Sequence, residues 1–155
     1  MLRMTKEARN IWRDAGMESM RRQDGYIGSE HIVLALLSNP SGIGAAVTGV
    51  SLEDAREALH RLDDQALAAI GIDAEAPDSM RRRRRTRISV TDSVKRTLAD
   101  ARREAERRGE KAIDTRHFML AIVNADRPNL GLRLLGELGC DPKQIRARLN
   151  ERAAS

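Results

Sequence analysis

Apolar residues recur along most of the chain at the three- and four-residue spacing of amphipathic helices. In the first half this spacing predicts four helices: Thr5 to Arg22, Ser29 to about Ser38, Ile43 to Thr48, and Ser51 past Leu67. The second of these segments is apolar around most of its circumference, which is typical of a buried helix. We therefore predict that it is the central element of the first half.

The second half shows the same succession of patterns. Helices are predicted from Thr91 to Gly109, from Thr115 to about Asn124, from near Pro128 to Leu138, and from Asp141 onward. Hydroxyl side chains at helix starts satisfy free backbone N–H groups. The predicted N-cap residues of this kind are Thr5, Ser29, Ser51, Thr91 and Thr115.

The two halves are copies of one unit. Residues 5–37 align without a gap to residues 91–123, at an offset of 86, with ten identities in 33 positions, including His31 with His117. Beyond this window the match continues with small insertions between helices. The sequence therefore predicts an all-α protein of two four-helix repeats related by a pseudo-twofold axis.

Composition separates these repeats from a basic connection. We place the first repeat at residues 1–70, a linker at 71–89 and the second repeat at 90–155. Six of the 28 basic residues lie in the linker, as Arg81–Arg85 and Arg87, and without them the formal charge of +5 becomes about −1. The net positive charge of the chain thus comes from the linker and not from the predicted helices.

Few residues offer catalytic or metal chemistry. No nucleophile and base pair, paired carboxylates or metal-ligand spacing is visible, and His31 and His117 are interpreted as structural histidines of buried helices. Cys140 is the only cysteine, and no apolar run is long enough for a signal peptide or a membrane span. We predict a cytoplasmic protein that is not an enzyme, with no cofactor, no metal and no membrane contact.

One motif resembles a known family. Tyr26–Leu36 reads YIGSEHIVLAL, Ile113–Ala121 reads IDTRHFMLA, and an apolar residue precedes Thr at Met4-Thr5 and Val90-Thr91. This pattern resembles the N-terminal domain of Clp unfoldases of the ClpA, ClpB and ClpC class. The resemblance covers nearly the whole chain and implies two four-helix Clp repeats. No phosphate-loop motif of an ATPase is present, so we expect a Clp N-domain without ATPase modules, either standing alone or excised from a longer protein.

The resemblance also implies binding sites. Such domains receive adaptors and substrates, and in ClpC-type proteins they bind phosphoarginine, with a Glu on the guanidinium and a helix N-terminus on the phosphate. Carried over, the first site consists of Met4, Thr5, Ser29 and Glu30. The second consists of Val90, Thr91, Thr115 and Arg116, and is degenerate because Arg116 replaces the Glu. Cyclic peptide antibiotics are expected near Met4 and Val90.

The predicted function is therefore a protein-binding module of the Clp chaperone–protease system. It receives adaptors or substrates, including phosphoarginine-marked ones, or acts as a decoy or regulator of a ClpC-type unfoldase. The alternative is a nucleic-acid-binding or regulatory protein that acts through Arg81–Arg87. The run has no interleaved aromatic residues to stack on bases, which makes nucleic acid the less favoured partner.

Overall fold

A computed structural model describes residues 2–69 and 89–154, which form helices and four two-residue strands. The helices are α1 (Lys6–Arg22), α2 (Ser29–Leu37), α3 (Ile43–Thr48), α4 (Leu52–Ala69), α5 (Asp92–Arg107), α6 (Thr115–Val123), α7 (Leu130–Glu137) and α8 (Pro142–Ala154). The all-α prediction and the four helices per repeat are confirmed. The predicted linker and its arginine run lie outside the described residues, except for Ser89. None of the described helices is long and apolar enough to cross a membrane.

Three of the five predicted N-caps are confirmed and two are wrong. The Ser51 hydroxyl accepts from the Asp54 N–H at 3.1 Å, at the start of α4. The Thr5 hydroxyl accepts from the Ala8 N–H, and the Thr91 hydroxyl accepts from the Val94 N–H. Gly28, not Ser29, caps α2, and Asp114, not Thr115, caps α6. In each case the histidine three residues after the cap, His31 or His117, accepts a hydrogen bond from the backbone N–H of the cap residue at 2.9 Å. Each helix therefore starts one residue earlier than the hydroxyl pattern predicts.

Short strands tie each repeat to the other. The strands are β1 (Arg3–Met4), β2 (Tyr26–Ile27), β3 (Ser89–Val90) and β4 (Ala112–Ile113). β1 pairs in parallel with β4, and β2 pairs in parallel with β3. The strand before α1 therefore lies beside the strand before α6, and the strand before α5 lies beside the strand before α2. Ser89, placed in the linker by composition, belongs to β3.

One hydrophobic core serves both repeats. Every residue of α2 is buried, as predicted, and α6 is buried from His117 to Val123. The Trp12 ring of the first repeat packs edge-on against the Phe118 ring of the second, with ring centroids 6.2 Å apart. Packing of α7 against α2 closes the same core across the repeat boundary. The repeats are thus copies in sequence but one unit in packing.

Candidate functional site

The exchanged strands bring helix starts of the two repeats together at two places. In the first, the Thr5 N–H donates to the Ile113 carbonyl at 2.9 Å, which brings the start of α1 beside the start of α6. Thr5, Thr115 and Arg116 line a cavity of about 520 Å³ there, which we call the arginine cleft. In the second, the Thr91 N–H donates to the Ile27 carbonyl at 3.1 Å, beside Glu30 at the start of α2. We call this junction of β2, β3 and the start of α2 the glutamate cleft.

The structure therefore regroups the predicted site residues. Thr5 was expected near Ser29 and Glu30, at the start of α2. The opposite end of α1 lies there instead, because the Ser19 hydroxyl donates to the Tyr26 carbonyl, just before α2. Fourteen helical residues separate Thr5 from Ser19, which corresponds to about 20 Å. The expected grouping within one repeat is thus wrong. Met4 and Thr5 belong with Thr115 and Arg116, while Val90 and Thr91 belong with the start of α2.

Glu30 lies folded into the glutamate cleft. Glu30 is only 3% exposed. A Cβ added to Gly28 would lie 2.3 Å from the Glu30 Oε2, so the carboxylate covers the glycine. Burial and the negative charge of Glu30 raise the pKa of the Tyr26 hydroxyl. Among the described residues, no lysine or arginine lies within ion-pair distance of Glu30. A side chain at position 28 would therefore displace the Glu30 carboxylate, which lacks a Lys or Arg partner in the described part of the chain.

Ser29 has a structural position. The residue is 1% exposed, and its hydroxyl accepts a hydrogen bond from the Gly131 N–H at 2.8 Å. This bond satisfies one of the free N–H groups at the start of α7. Ser29 thus joins α2 to α7 and does not face the cleft, which corrects its assignment as a ligand-binding residue.

Arg116 is held by acidic neighbours in the arginine cleft. Its Nη2 lies 2.6 Å from Glu110 Oε2 and 3.3 Å from Asp114 Oδ2, and its side chain is 15% exposed. In the first repeat, Asp24 occupies the position equivalent to Glu110 and pairs instead with Arg22 at 2.8 Å. Arg116 therefore neutralises carboxylates of its own repeat, and the two clefts differ in charge.

Glu110, Asp114 and His117 bring three potential metal-ligating atoms within 4.8 Å of one another. The His117 Nδ1 accepts the Asp114 N–H, so in the neutral ring the proton is on Nε2. This Nε2 is buried without an aligned hydrogen bond and lies 3.3 Å from Glu110 Oε2. An N–H group has no lone pair for a cation, and Arg116 already contacts both carboxylates. We interpret the cluster as a capping and ion-pair network.

The Asp114 cap makes stability depend on pH. Burial raises the pKa of Asp114, but hydrogen bonding to His117 and the positive charge of Arg116 outweigh it and lower the pKa to about 2. Because the folded pKa is below the unfolded value, the stabilisation is full above about pH 5 and is lost as the pH falls toward 2. Since Asn also caps helices, Asp114→Asn removes mainly this charge.

At pH 6 we expect the free energy of unfolding of the wild type to be about 1 kcal/mol higher than that of the Asp114→Asn variant. This value is reduced for solvent screening, because the Asp114 side chain is one-third exposed. The difference should shrink toward zero near pH 2. Urea denaturation of both proteins at several pH values measures this difference. Glu104 also has a pKa lowered to about 2, but it is present in both proteins, so its effect on stability is the same in each. A difference independent of pH would contradict the assignment.

Sequence comparison places the chain among Clp proteins. The Clp repeat (R) N-terminal domain family matches residues 3–129 and 89–155. The chain is similar to the chloroplastic chaperone protein ClpC of Pisum sativum, with 26% identity over 150 residues, covering 95% of this chain and 15% of that protein. It is equally similar to a probable ATP-dependent Clp protease ATP-binding subunit of Chlamydia pneumoniae, covering 95% and 16%. The chain thus spans about one sixth of these relatives.

Solved structures show the same fold. The N-terminal domain of the chaperone ClpD from Arabidopsis thaliana matches with a TM-score of 0.75 and 21% identity, covering 97% of both chains. The Hsp104 N-terminal domain from Candida albicans matches with a TM-score of 0.65 and 16% identity, covering 97% of this chain and 91% of that one. At these identities the likeness concerns the fold.

Proposed function

The chain belongs to the Clp repeat N-terminal domain family, and from that membership we propose that it receives adaptors or substrates of a Clp unfoldase at its clefts. The Clp N-domain is a protein-binding module and not a catalytic one. Both clefts are composite, so a ligand bound in either contacts both repeats at once. A chain of this kind acts as a substrate receptor, or as a decoy or regulator that competes for the same ligands.

The glutamate cleft is the better candidate for a phosphoarginine-marked ligand. The observation that supports this is the buried Glu30 carboxylate, which pairs with no Lys or Arg of the described residues, so the guanidinium of a ligand can pair with it. The start of α5 at Thr91 lies beside it and offers free N–H groups to a phosphate. Binding requires the Glu30 side chain to turn outward from Gly28.

The arginine cleft has the opposite character. Arg116 stands where the other cleft has Glu30, and a guanidinium repels the guanidinium of phosphoarginine. Glu110 and Asp114 already use its hydrogen-bonding groups. We therefore propose one phosphoarginine site per chain, in the glutamate cleft.

Calorimetric titration of free phosphoarginine tests this proposal. We expect about one site in the wild type, binding weakened at least tenfold in the isosteric variant Glu30→Gln, and a second site in Arg116→Glu. Free arginine and inorganic phosphate serve as control ligands, and circular dichroism verifies that each variant is folded. Absence of binding to the wild type, or equal affinity in Glu30→Gln, would refute the proposed ligand while leaving the protein-binding module in place.

A further inference from the structure

Two methionines protrude from α1, away from the core. Met17 is 60% exposed and Met20 is 66% exposed, the largest exposed fractions of any large hydrophobic residue in the described ranges. Residues three apart on a helix are neighbours on one face, so the two thioethers form one small apolar surface. Gly16, one turn before Met20, lies under β2, since a Cβ there would be 3.9 Å from Ile27 Cδ1. The surface therefore lies on the α1 turn that packs near Ile27 of β2.

The internal repeat shows that the fold does not require methionine there. At the offset of 86, Met17 corresponds to Arg103 and Met20 to Glu106, and both of these residues are exposed on α5. The equivalent helix face of the second repeat is thus charged and exposed to solvent. Methionine is adaptable and is over-used at protein-binding surfaces that accept varied partners. The asymmetry points to a role for Met17 and Met20 outside folding.

The charges around the methionines define the partner. Arg13 and Arg21 lie one turn before and one turn after Met17, and both are exposed. Glu18 is buried against Arg56 at 2.6 Å, and Asp14 Oδ1 pairs with the Arg13 Nε at 3.3 Å, which leaves the Arg13 Nη groups for a ligand. The face is therefore apolar at its centre and has an exposed arginine at each end, of which Arg13 is shared with Asp14. Its complement is a helix with an apolar stripe between acidic residues.

We propose that Arg13, Met17, Met20 and Arg21 form a docking face for an amphipathic, acidic helical segment of a partner protein. The partner inserts apolar side chains spaced three or four residues apart against the two thioethers, and its Asp or Glu side chains pair with the two arginines. This contact is separate from the phosphoarginine site, because it uses no side chain of Glu30 or Thr91. It gives the domain a second way to hold an adaptor while a cleft holds a substrate.

A designed helical peptide provides the probe. It carries two leucines four residues apart flanked by glutamates, and the control peptide has lysine at every glutamate position. The protein is labelled at its methionine methyl groups, and the peptides are titrated by NMR and by fluorescence anisotropy. We expect methyl shifts confined to Met17 and Met20, affinity that falls as salt increases, and no binding of the lysine peptide.

The matched variant is Met17→Arg with Met20→Glu, which copies the second repeat's own residues and leaves the core untouched. We expect at least tenfold weaker binding of the acidic peptide and unchanged phosphoarginine titration, which separates this proposal from the previous one. Equal binding by the double variant, methyl shifts elsewhere, or no binding of the acidic peptide at millimolar concentration would overturn the docking face. A concentration-dependent dimer that the double variant abolishes would also overturn it, by assigning the face to a second copy of the chain.

Discussion

Replacing Phe118 with alanine is expected to lower the free energy of unfolding by about 3–5 kcal/mol and to destabilise both repeats together. The ring is 1% exposed, and it packs edge-on against Trp12 from the other repeat, so its removal leaves a cavity in the shared core. If the repeats folded separately, the loss would fall on the second repeat alone. The exchanged strands and the common core predict instead one cooperative transition.

The chain has a single tryptophan, which makes this prediction easy to measure. Trp12 fluorescence reports on the first repeat, while far-UV circular dichroism reports on the helices of both. We expect the two signals of Phe118→Ala to coincide in denaturant and its melting temperature to fall by on the order of 10 °C. Arg102→Ala, at an exposed position on α5, should change stability by less than about 0.5 kcal/mol. A retained wild-type midpoint in either signal would show that the repeats unfold independently.

The sequence pattern predicts the helices because each one carries its own signal. The near-continuous apolar run of α2 identifies the central buried helix, and Thr5 and Thr91 mark helix starts whose caps the structure confirms. These features depend on residues close together along the chain. The internal repeat adds the second set of helices without further assumptions.

The pairing of the site residues depends on contacts between distant residues, which local pattern does not encode. A strand of two residues has no alternation to detect, so neither β1 nor β2 is visible in the sequence. Their exchange decides that Thr5 meets Arg116 and that Thr91 meets the start of α2. The shift of the caps from Ser29 to Gly28 and from Thr115 to Asp114 depends on a histidine acceptor that the usual Glu or Gln pattern does not include.

The charge difference between the clefts is visible in the sequence, but its meaning comes from the structure. The substitution of Arg116 for the Glu identifies a changed site, and only the structure shows Glu110 and Asp114 holding that guanidinium. Similarly, the exposed positions of Met17 and Met20 become informative only when compared with Arg103 and Glu106 in a confirmed repeat fold. Repetition thus provides an internal reference for which residues the fold itself requires.

Gly44 is the second position at which we expect a large effect. A Cβ added there would lie 2.3 Å from the Leu36 carbonyl oxygen and 2.7 Å from its carbonyl carbon, so α3 approaches the backbone of α2 directly. The backbone of a buried helix cannot move aside as easily as the end of a flexible side chain, so the added methyl group forces the two helices apart. We expect Gly44→Ala to lower the free energy of unfolding by about 3 kcal/mol, despite the better helix propensity of alanine.

Gly136 on α7 supplies the opposite control. A Cβ at this helical position meets nothing within 4 Å, so Gly136→Ala should raise the free energy of unfolding by about 0.5–1 kcal/mol through helix propensity alone. Urea denaturation of the two variants therefore gives changes of opposite sign for the same chemical substitution. A loss below about 1 kcal/mol in Gly44→Ala would mean that α3 moves away from α2 at little cost. The close approach of these helices would then not be what fixes glycine at position 44.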